Sequence, residues 1–282
     1  MIARPVCLQF VVATFVLALA AGPLLGQSSP NHLYDKFQIV GSGTAVLFTG
    51  SLRVDSKNGN GTDVDPQDDL GLATSKPEVR AGLRWRPGKR HELELGYQWA
   101  RRSGEKTLAK DISFGDTTFA AGLDVKTKFN SDQAFLTYRF AFMARERTQL
   151  GVGLGLGAIF FQPSIDALAG AGSQTVQYSQ SKSFTGPTAS LGVYGRFRLS
   201  DRWYLEADIR GLKATIDRID ASVIEGGAAA RYFLSSTFGL EGGYGLTSIK
   251  VDVKPKSDGT GLASGSIKWG LQNLRLGVVV AL

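Results

Sequence analysis

Three features of the sequence predict an all-β fold, an antiparallel up-and-down transmembrane β-barrel of about ten strands. Apolar residues recur at every second position in successive segments, which is the side-chain period of an extended strand. Short turns alternate with long connections along the chain. The aromatic residues fall into two sets that would lie about 20–25 Å apart in height. These features are typical of barrels that span a bacterial outer membrane, and eight strands is the alternative count.

The N-terminal residues 1–26 have the layout of a secretory signal peptide. Arg4 supplies a positive charge, Val6–Ala21 is apolar, and small residues follow up to Gly22. An uncleaved anchor helix is the alternative. The single cysteine, Cys7, lies in this segment, so the mature chain is expected to form no disulfide. We predict a polar leader at residues 27–42 and the barrel at residues 43–282.

Ten segments alternate clearly enough to be predicted as strands. In chain order they are Gly43–Ser56, Glu78–Arg86, His91–Arg102, Ala134–Phe142, Leu150–Phe160, Ala189–Leu199, Trp203–Arg210, Ile224–Leu234, Phe238–Leu246 and Leu274–Leu282. The apolar parity of each strand is expected to face lipid. In the first strand that parity comprises Val46, Phe48, Leu52 and Val54.

The region between the third and fourth strands is less regular. Gly104 to about Asn130 is predicted to form a long basic hairpin above the membrane. The parity of the apolar residues changes between Phe129 and Ala134, which predicts a β-bulge at that point.

The fifth strand, LGVGLGLGAIF, has glycine at four consecutive positions of one parity. In a membrane barrel the apolar parity would face lipid and the small residues a crowded lumen. The segment also matches a dinucleotide-binding G-x-G-x-x-A pattern loosely. That pattern requires a helix to begin at the glycines, and Ile159–Pro163 does not begin one, so nucleotide binding is not predicted.

Charged residues of both signs occupy the parity that would face the lumen. An isolated buried charge is costly, so we expect these groups to form arginine–carboxylate pairs that fill the pore. The predicted lumen charge network comprises Arg80, Arg84, Glu92, Glu94, Arg139, Arg196, Arg198, Glu206, Asp208, Arg210, Glu225, Arg231, Glu241 and Arg275.

The aromatic residues are predicted to form two girdles at the membrane interfaces. Those near the short turns are Trp85, Phe140, Phe142, Phe197, Trp203, Tyr232 and Phe238. Those roughly eight to twelve residues further along their strands are Trp99, Phe160, Tyr244 and Trp269.

Three segments carry a resemblance to known proteins: TDVDPQDDLG, WRPGKRHELELGY and FGDTTF. With them, residues from about Gly43 to Leu282 resemble the small outer-membrane β-barrels grouped around the OmpA membrane domain and OmpW, in a subfamily without an assigned activity. One departure is the C-terminal Leu282, where such proteins usually end in Phe or Trp. The resemblance implies export to the outer membrane of a Gram-negative cell and insertion by the barrel-assembly machinery.

We therefore expect a structural outer-membrane barrel with a narrow lumen filled by charges. A narrow, porin-like conduit for small or hydrophobic solutes is the alternative. The expected partners are outer-membrane lipid and lipopolysaccharide, and the expected state is a monomer. The formal net charge of +7 fits anionic headgroups better than nucleic acid in an exported protein.

Catalysis, a cofactor and a metal are not predicted. Outside the signal peptide the histidines are His32, in the leader, and His91, at a short turn. Both lie at the wrong end of the barrel for lipid A chemistry, and nothing in the sequence arranges either within hydrogen-bond reach of a nucleophile. The acidic run at Asp63, Asp65, Asp68 and Asp69 lacks the glycine and distal glutamate of a calcium-binding EF-hand loop. A lipid-modifying enzyme remains a second, weaker alternative.

Overall fold

The computed structural model describes residues 30–55, 61–114, 117–171, 174–181, 183–217, 219–254 and 264–282. The predicted signal peptide lies outside these residues. The strands are β1 Phe37–Val54, β2 Ser75–Gly88, β3 His91–Trp99, β4 Arg101–Thr107, β5 Ile112–Phe114, β6 Thr117–Phe119, β7 Asp124–Ala144, β8 Thr148–Ala171, β9 Gln174–Ser181, β10 Phe184–Arg198, β11 Trp203–Ile216, β12 Ile219–Phe233, β13 Phe238–Val253 and β14 Gly265–Ala281. No helix in these ranges is long and apolar enough to cross a membrane.

The strands form a closed antiparallel barrel. Both β3 and β4 pair with β7, and both β9 and β10 pair with β8, so each of these pairs acts as one continuous arm. Pairing of β7 with β8 and of β1 with β14 closes the sheet on itself. The barrel therefore has ten strands, and the predicted all-β, ten-stranded fold is confirmed.

The first strand begins earlier than predicted. Phe37 already pairs with Trp85 on β2, so the last residues of the predicted leader belong to the barrel. The segment just before it packs against the short-turn end of the barrel, where Leu33 is buried with Tyr204, Phe233 and Val279.

Partway up the barrel, the outer face of the strands changes from apolar to polar, and the inner face changes from charged to apolar. On β13, Leu240, Tyr244 and Leu246 are exposed on the outer face, as expected next to lipid. The same face continues with the polar Ser248, Lys250 and Asp252, and the inner face there carries Ile249 and Val251. The lower part of the barrel thus has the polarity of a membrane protein and the upper part that of a water-soluble barrel.

This exchange corrects the predicted orientation of the first strand. Val46, Phe48 and Leu52 are buried inside the barrel, while the neighbouring Leu47 is exposed on the outer face. The upper half of β1 rises above the apolar belt, where burial in the interior stabilises large apolar side chains. The prediction for Val54 falls on a side chain outside the described set.

The predicted bulge between Phe129 and Ala134 is also wrong. The pairing of β7 with β8 runs without a break from Asp124 to Ala141, and the register shifts between Ala141 and Met143. The apparent parity change has the same cause as on β1, because Phe129 belongs to the upper part and faces inward.

A separate apolar cluster covers the long-loop end on the β7 and β8 side. It brings together the β5–β6 hairpin, the acidic loop and the ends of the long strands through Val64, Leu70, Leu108, Ile112, Phe119, Val125 and Ile165. The acidic loop is a turn in which Asp65 Oδ1 accepts hydrogen bonds from the backbone amides of Gln67, at 2.8 Å, and Asp68, at 2.9 Å. Asp69 pairs with Lys110 at 2.9 Å.

Candidate functional site in the barrel lumen

The centre of the lower lumen is the carboxylate of Glu92, whose side chain is 2% exposed. It accepts hydrogen bonds from Arg86, from Arg139 at 2.8 Å, and from both terminal nitrogens of Arg196 at 2.5 and 2.6 Å. Three guanidinium groups on three strands therefore converge on one buried carboxylate.

Three further glutamates extend this centre into a connected network. Glu94 contacts Arg80 at 2.9 Å, Arg84 at 3.0 Å and Arg139 at 2.6 Å. Glu206 contacts Arg84, Arg196 and Arg231, and Glu241 contacts Arg231 and Arg275, at distances of 2.7–3.2 Å. Among the described residues, seven arginines thus share four glutamates across the lumen.

The strand register explains why this network forms. Arg84 lies directly opposite Glu94, Glu92 opposite Arg139, Arg196 opposite Glu206, and Arg231 opposite Glu241. Opposite charges at directly paired positions of antiparallel strands stabilise the pairing. Because a guanidinium donates in several directions, each arginine also reaches a carboxylate on a more distant strand.

Some predicted residues lie apart from the network. Arg210 pairs with Glu225 at 2.6 Å and approaches Asp208 at 4.0 Å, forming a separate cluster higher in the lumen. Arg198 pairs with Asp201 at 2.9 Å near the short turn between β10 and β11, and joins no lumen glutamate in the described residues.

The prediction missed Arg86, Arg102 and Glu78, all buried in the lumen. Arg86 contacts Glu92, and Arg102 pairs with Glu78 at 2.8 Å. The sequence pattern could have identified them, because each lies on the same face of its strand as the predicted Arg80, Arg84 or Glu94.

Glycines of β8 make room for a tyrosine in this network. The ring of Tyr194 lies against Gly151, and a Cβ placed at residue 151 would lie 2.5 Å from that ring. The guanidinium carbons of Arg139 and Arg196 lie 5.9 and 5.3 Å from the ring centre, within the range of a cation–π contact. Next to it, Gly153 and Gly155 line a cavity of about 20 Å³, which is large enough for one water.

Alanine substitutions at Gly151 and Gly153 should therefore have very different effects on the free energy of unfolding. Gly151→Ala forces its methyl group against the backbone carbonyl oxygen of Phe140 and into the Tyr194 ring, and should cost about 1–3 kcal/mol of unfolding free energy. At Gly153 a Cβ meets nothing nearer than 3.7 Å, so Gly153→Ala should be neutral or slightly stabilising. Urea unfolding of the two variants in the same detergent measures the difference, and equal stabilities would contradict the assigned packing.

The N-terminal segment closes the short-turn end of the lumen. The His32 ring stacks on Phe233 with ring centres 3.5 Å apart, and its Nδ1 lies 2.9 Å from Asp35 Oδ2. Gln38 donates to the same Asp35 oxygen at 2.9 Å, and Arg86 donates to the Asp35 backbone carbonyl at 3.1 Å. The segment is thereby tied to the arginine network above it.

At the opposite rim, Asp55 joins the ends of β1 and β14. Burial favours its neutral form, yet hydrogen bonds from Ser264 Oγ and Arg53 Nε, both 2.7 Å, lower the pKa of the Asp55 carboxyl below its ordinary value. The rim therefore keeps a charged carboxylate where the first and last strands meet.

Ten of the predicted girdle residues lie on the outer face. Trp85, Trp99, Phe142, Phe160, Trp203 and Tyr244 are exposed there, and Phe140, Phe197, Tyr232 and Phe238 are partly exposed on the same face.

Trp269 is the exception, and its predicted girdle position is wrong. Its ring lies inside the barrel, 5.4 Å from the ring centres of both Phe129 and Phe161 and 5.8 Å from that of Phe48. Trp269 shares its parity with the lumen-facing Arg275 and stands above the level at which the polarity reverses. We call Phe48, Phe129, Phe161 and Trp269 the lumen aromatic cluster.

Comparisons with known proteins show the fold. No family model and no curated protein matches the chain. Among solved structures, the outer membrane protease OmpT from Escherichia coli is similar with a TM-score of 0.56 at 9% identity, covering 88% of this chain and 97% of that one. The translocator domain of the autotransporter NalP from Neisseria meningitidis has a TM-score of 0.49 at 14% identity, covering 88% of each chain.

The likeness to OmpT corrects one expectation. The sequence was interpreted as that of a protein without catalytic activity, yet the barrel architecture is shared with a protease. At 9% identity the likeness extends to the fold alone. This chain has the architecture of a closed ten-stranded antiparallel β-barrel, and OmpT shows that an enzyme can have a barrel of this kind.

Proposed function

We propose that the protein is a structural β-barrel of the outer membrane whose lumen is closed by its arginine–glutamate network. The observation that carries the proposal is the convergence of seven arginines on four glutamates in the lower lumen, where the glutamate side chains are at most 9% exposed. Multiple charge-assisted hydrogen bonds to each carboxylate resist separation and stiffen the barrel.

The location and partners belong to the same proposal. The apolar outer face below the level of Leu246, flanked by exposed tryptophans, fits a lipid bilayer. The lysines of the outer end, such as Lys106 and Lys110, would meet the phosphates of lipopolysaccharide. The layout of residues 1–26 supports export by a signal peptide. The segments that resemble OmpA- and OmpW-like barrels support insertion by the barrel-assembly machinery, and we propose a monomeric state.

Planar-bilayer recording tests the closed lumen. The wild-type protein, refolded in detergent and inserted into a bilayer, should give no steady openings. A double variant, Glu92→Ala with Arg196→Ala, removes both members of the central pair and should allow brief ion passage. Heat-modifiable migration of each preparation shows that the barrel is folded. Steady openings of the wild type would overturn the proposal in favour of a narrow conduit.

A further inference from the structure

The upper lumen has an apolar wall on one side. Leu212, Val223, Ile249 and Trp269 are paired across β11, β12, β13 and β14, so their side chains share one face of the sheet. That face is the inner one, since Trp269 belongs to the lumen aromatic cluster. One row higher, Val251 and Ile267 are paired on the same face.

Apart from Trp269, this wall is only partly covered by the side chains that the structure describes. Leu212 is 41% exposed, and Val223, Ile249, Val251 and Ile267 are partly exposed. By contrast, Phe48 on β1, Phe129 on β7 and Phe161 on β8 are buried at 8% or less. The apolar wall of β11–β14 therefore borders open space in the upper lumen.

The floor of this space is formed by partly exposed arginines. The side chains of Arg80, Arg210 and Arg275 are 22–26% exposed, whereas those of Arg84, Arg139 and Arg196 are 10% or less. Arg210 lies two residues below Leu212 on β11, and Arg275 lies six residues below Trp269 on β14.

The two groups of charged residues described above hold more arginines than carboxylates. Seven arginines face four glutamates in the network, and the neighbouring Arg210 cluster contributes one arginine and two carboxylates. Two positive charges remain in excess after both groups are combined. Arginine keeps its proton in a protein, so this part of the lumen favours an anionic headgroup over a neutral or cationic one.

We propose that the upper lumen binds a single-chain amphipathic carboxylate, with its head at Arg210 and Arg275 and its acyl chain along Leu212, Val223 and Ile249. Charge complementarity selects the anionic head, because a carboxylate accepts paired hydrogen bonds from a guanidinium. The apolar wall selects the chain, because covering it with hydrocarbon removes apolar surface from water. This binding role goes beyond a closed, stiffened barrel, because the acyl chain would lie above the charge network, of which Arg275 also serves the head site.

Trp269 provides a reporter inside the chamber. It is paired with Ile249 on the wall, whereas Trp85, Trp99 and Trp203 are exposed on the outer face. A variant with Trp85→Phe, Trp99→Phe and Trp203→Phe retains Trp269 alone. We would refold this full-length variant in a maltoside detergent and titrate it with dibromostearic acid, whose bromines quench tryptophan at short range. Saturable quenching of Trp269 is expected.

Headgroup and wall are tested separately. The uncharged methyl ester of the same brominated chain should give at most weak, non-saturating quenching. Arg210→Gln or Arg275→Gln should weaken binding of the acid about tenfold, and Leu212→Asn about three- to tenfold. Arg198→Gln is the matched control, because it makes the same change at the other end of the barrel and should leave binding unchanged.

Two results would overturn the proposal. One is quenching that rises linearly and equally for acid and ester, which is partition into the micelle only. The other is saturable binding that is unchanged in both arginine variants. If the triple variant does not refold, the difference in quenching between the wild type and Trp269→Phe gives the same measurement. A failure here leaves the bilayer recordings untouched, so the two proposals are separable.

Discussion

Replacing Glu92 with glutamine should lower the free energy of unfolding by about 3–5 kcal/mol. The glutamine keeps the shape of the side chain but removes the negative charge on which Arg86, Arg139 and Arg196 converge. Removing one member of a buried ion pair leaves the partner charge desolvated, and here three partners are affected. Urea unfolding of the refolded protein in detergent, followed by heat-modifiable migration, measures the change.

The matched control is Glu225→Gln. Glu225 is also a lumen glutamate, but among the described residues it forms an ion pair with Arg210 only, and its side chain is 23% exposed. Water can replace the lost carboxylate there, so the expected loss is no more than about 1 kcal/mol. If Glu92→Gln and Glu225→Gln lower the free energy of unfolding equally, the lower lumen would be hydrated. The arginine–glutamate network would then not close the lumen.

Much of the lower barrel follows from local sequence pattern. Alternation identifies the strands, and the hairpin at Pro87–Arg90 brings Arg84 opposite Glu94, so this pair could be anticipated. The contacts of Glu92 with Arg196 could not, because 104 residues separate them and their meeting depends on the curvature and closure of the sheet.

The upper barrel could not be oriented from alternation alone. A period of two separates the faces of a strand without saying which face is inside. Phe48 and Leu52 therefore have the same pattern whether they face lipid or lumen, and the choice depends on how far the strand rises above the bilayer. Outward polar residues such as Ser248, Lys250 and Asp252 hold the missing information, since charged groups on an outer face cannot lie deep in lipid.

The second large effect concerns Phe161. Replacing it with alanine should cost about 3–5 kcal/mol, because its ring is buried 4.4 Å from that of Phe129 and 5.4 Å from that of Trp269, and truncation leaves a cavity. The neighbouring Phe160 is the same residue type on the opposite face, 37% exposed against 8% for Phe161. Lipid or detergent chains would fill the space left by Phe160→Ala, so this variant should lose no more than about 2 kcal/mol.

The two adjacent substitutions together test whether Phe161 lies in a packed core and Phe160 on the outer face. If the lumen aromatic cluster is a packed core, Phe161→Ala should also shift the emission of Trp269 and raise its accessibility to acrylamide, and Phe160→Ala should do neither. These readouts respond to packing around one indole ring, so they distinguish a local cavity from a general loss of stability. A larger loss at Phe160 than at Phe161 would contradict the assignment of Phe161 to a packed cluster inside the barrel.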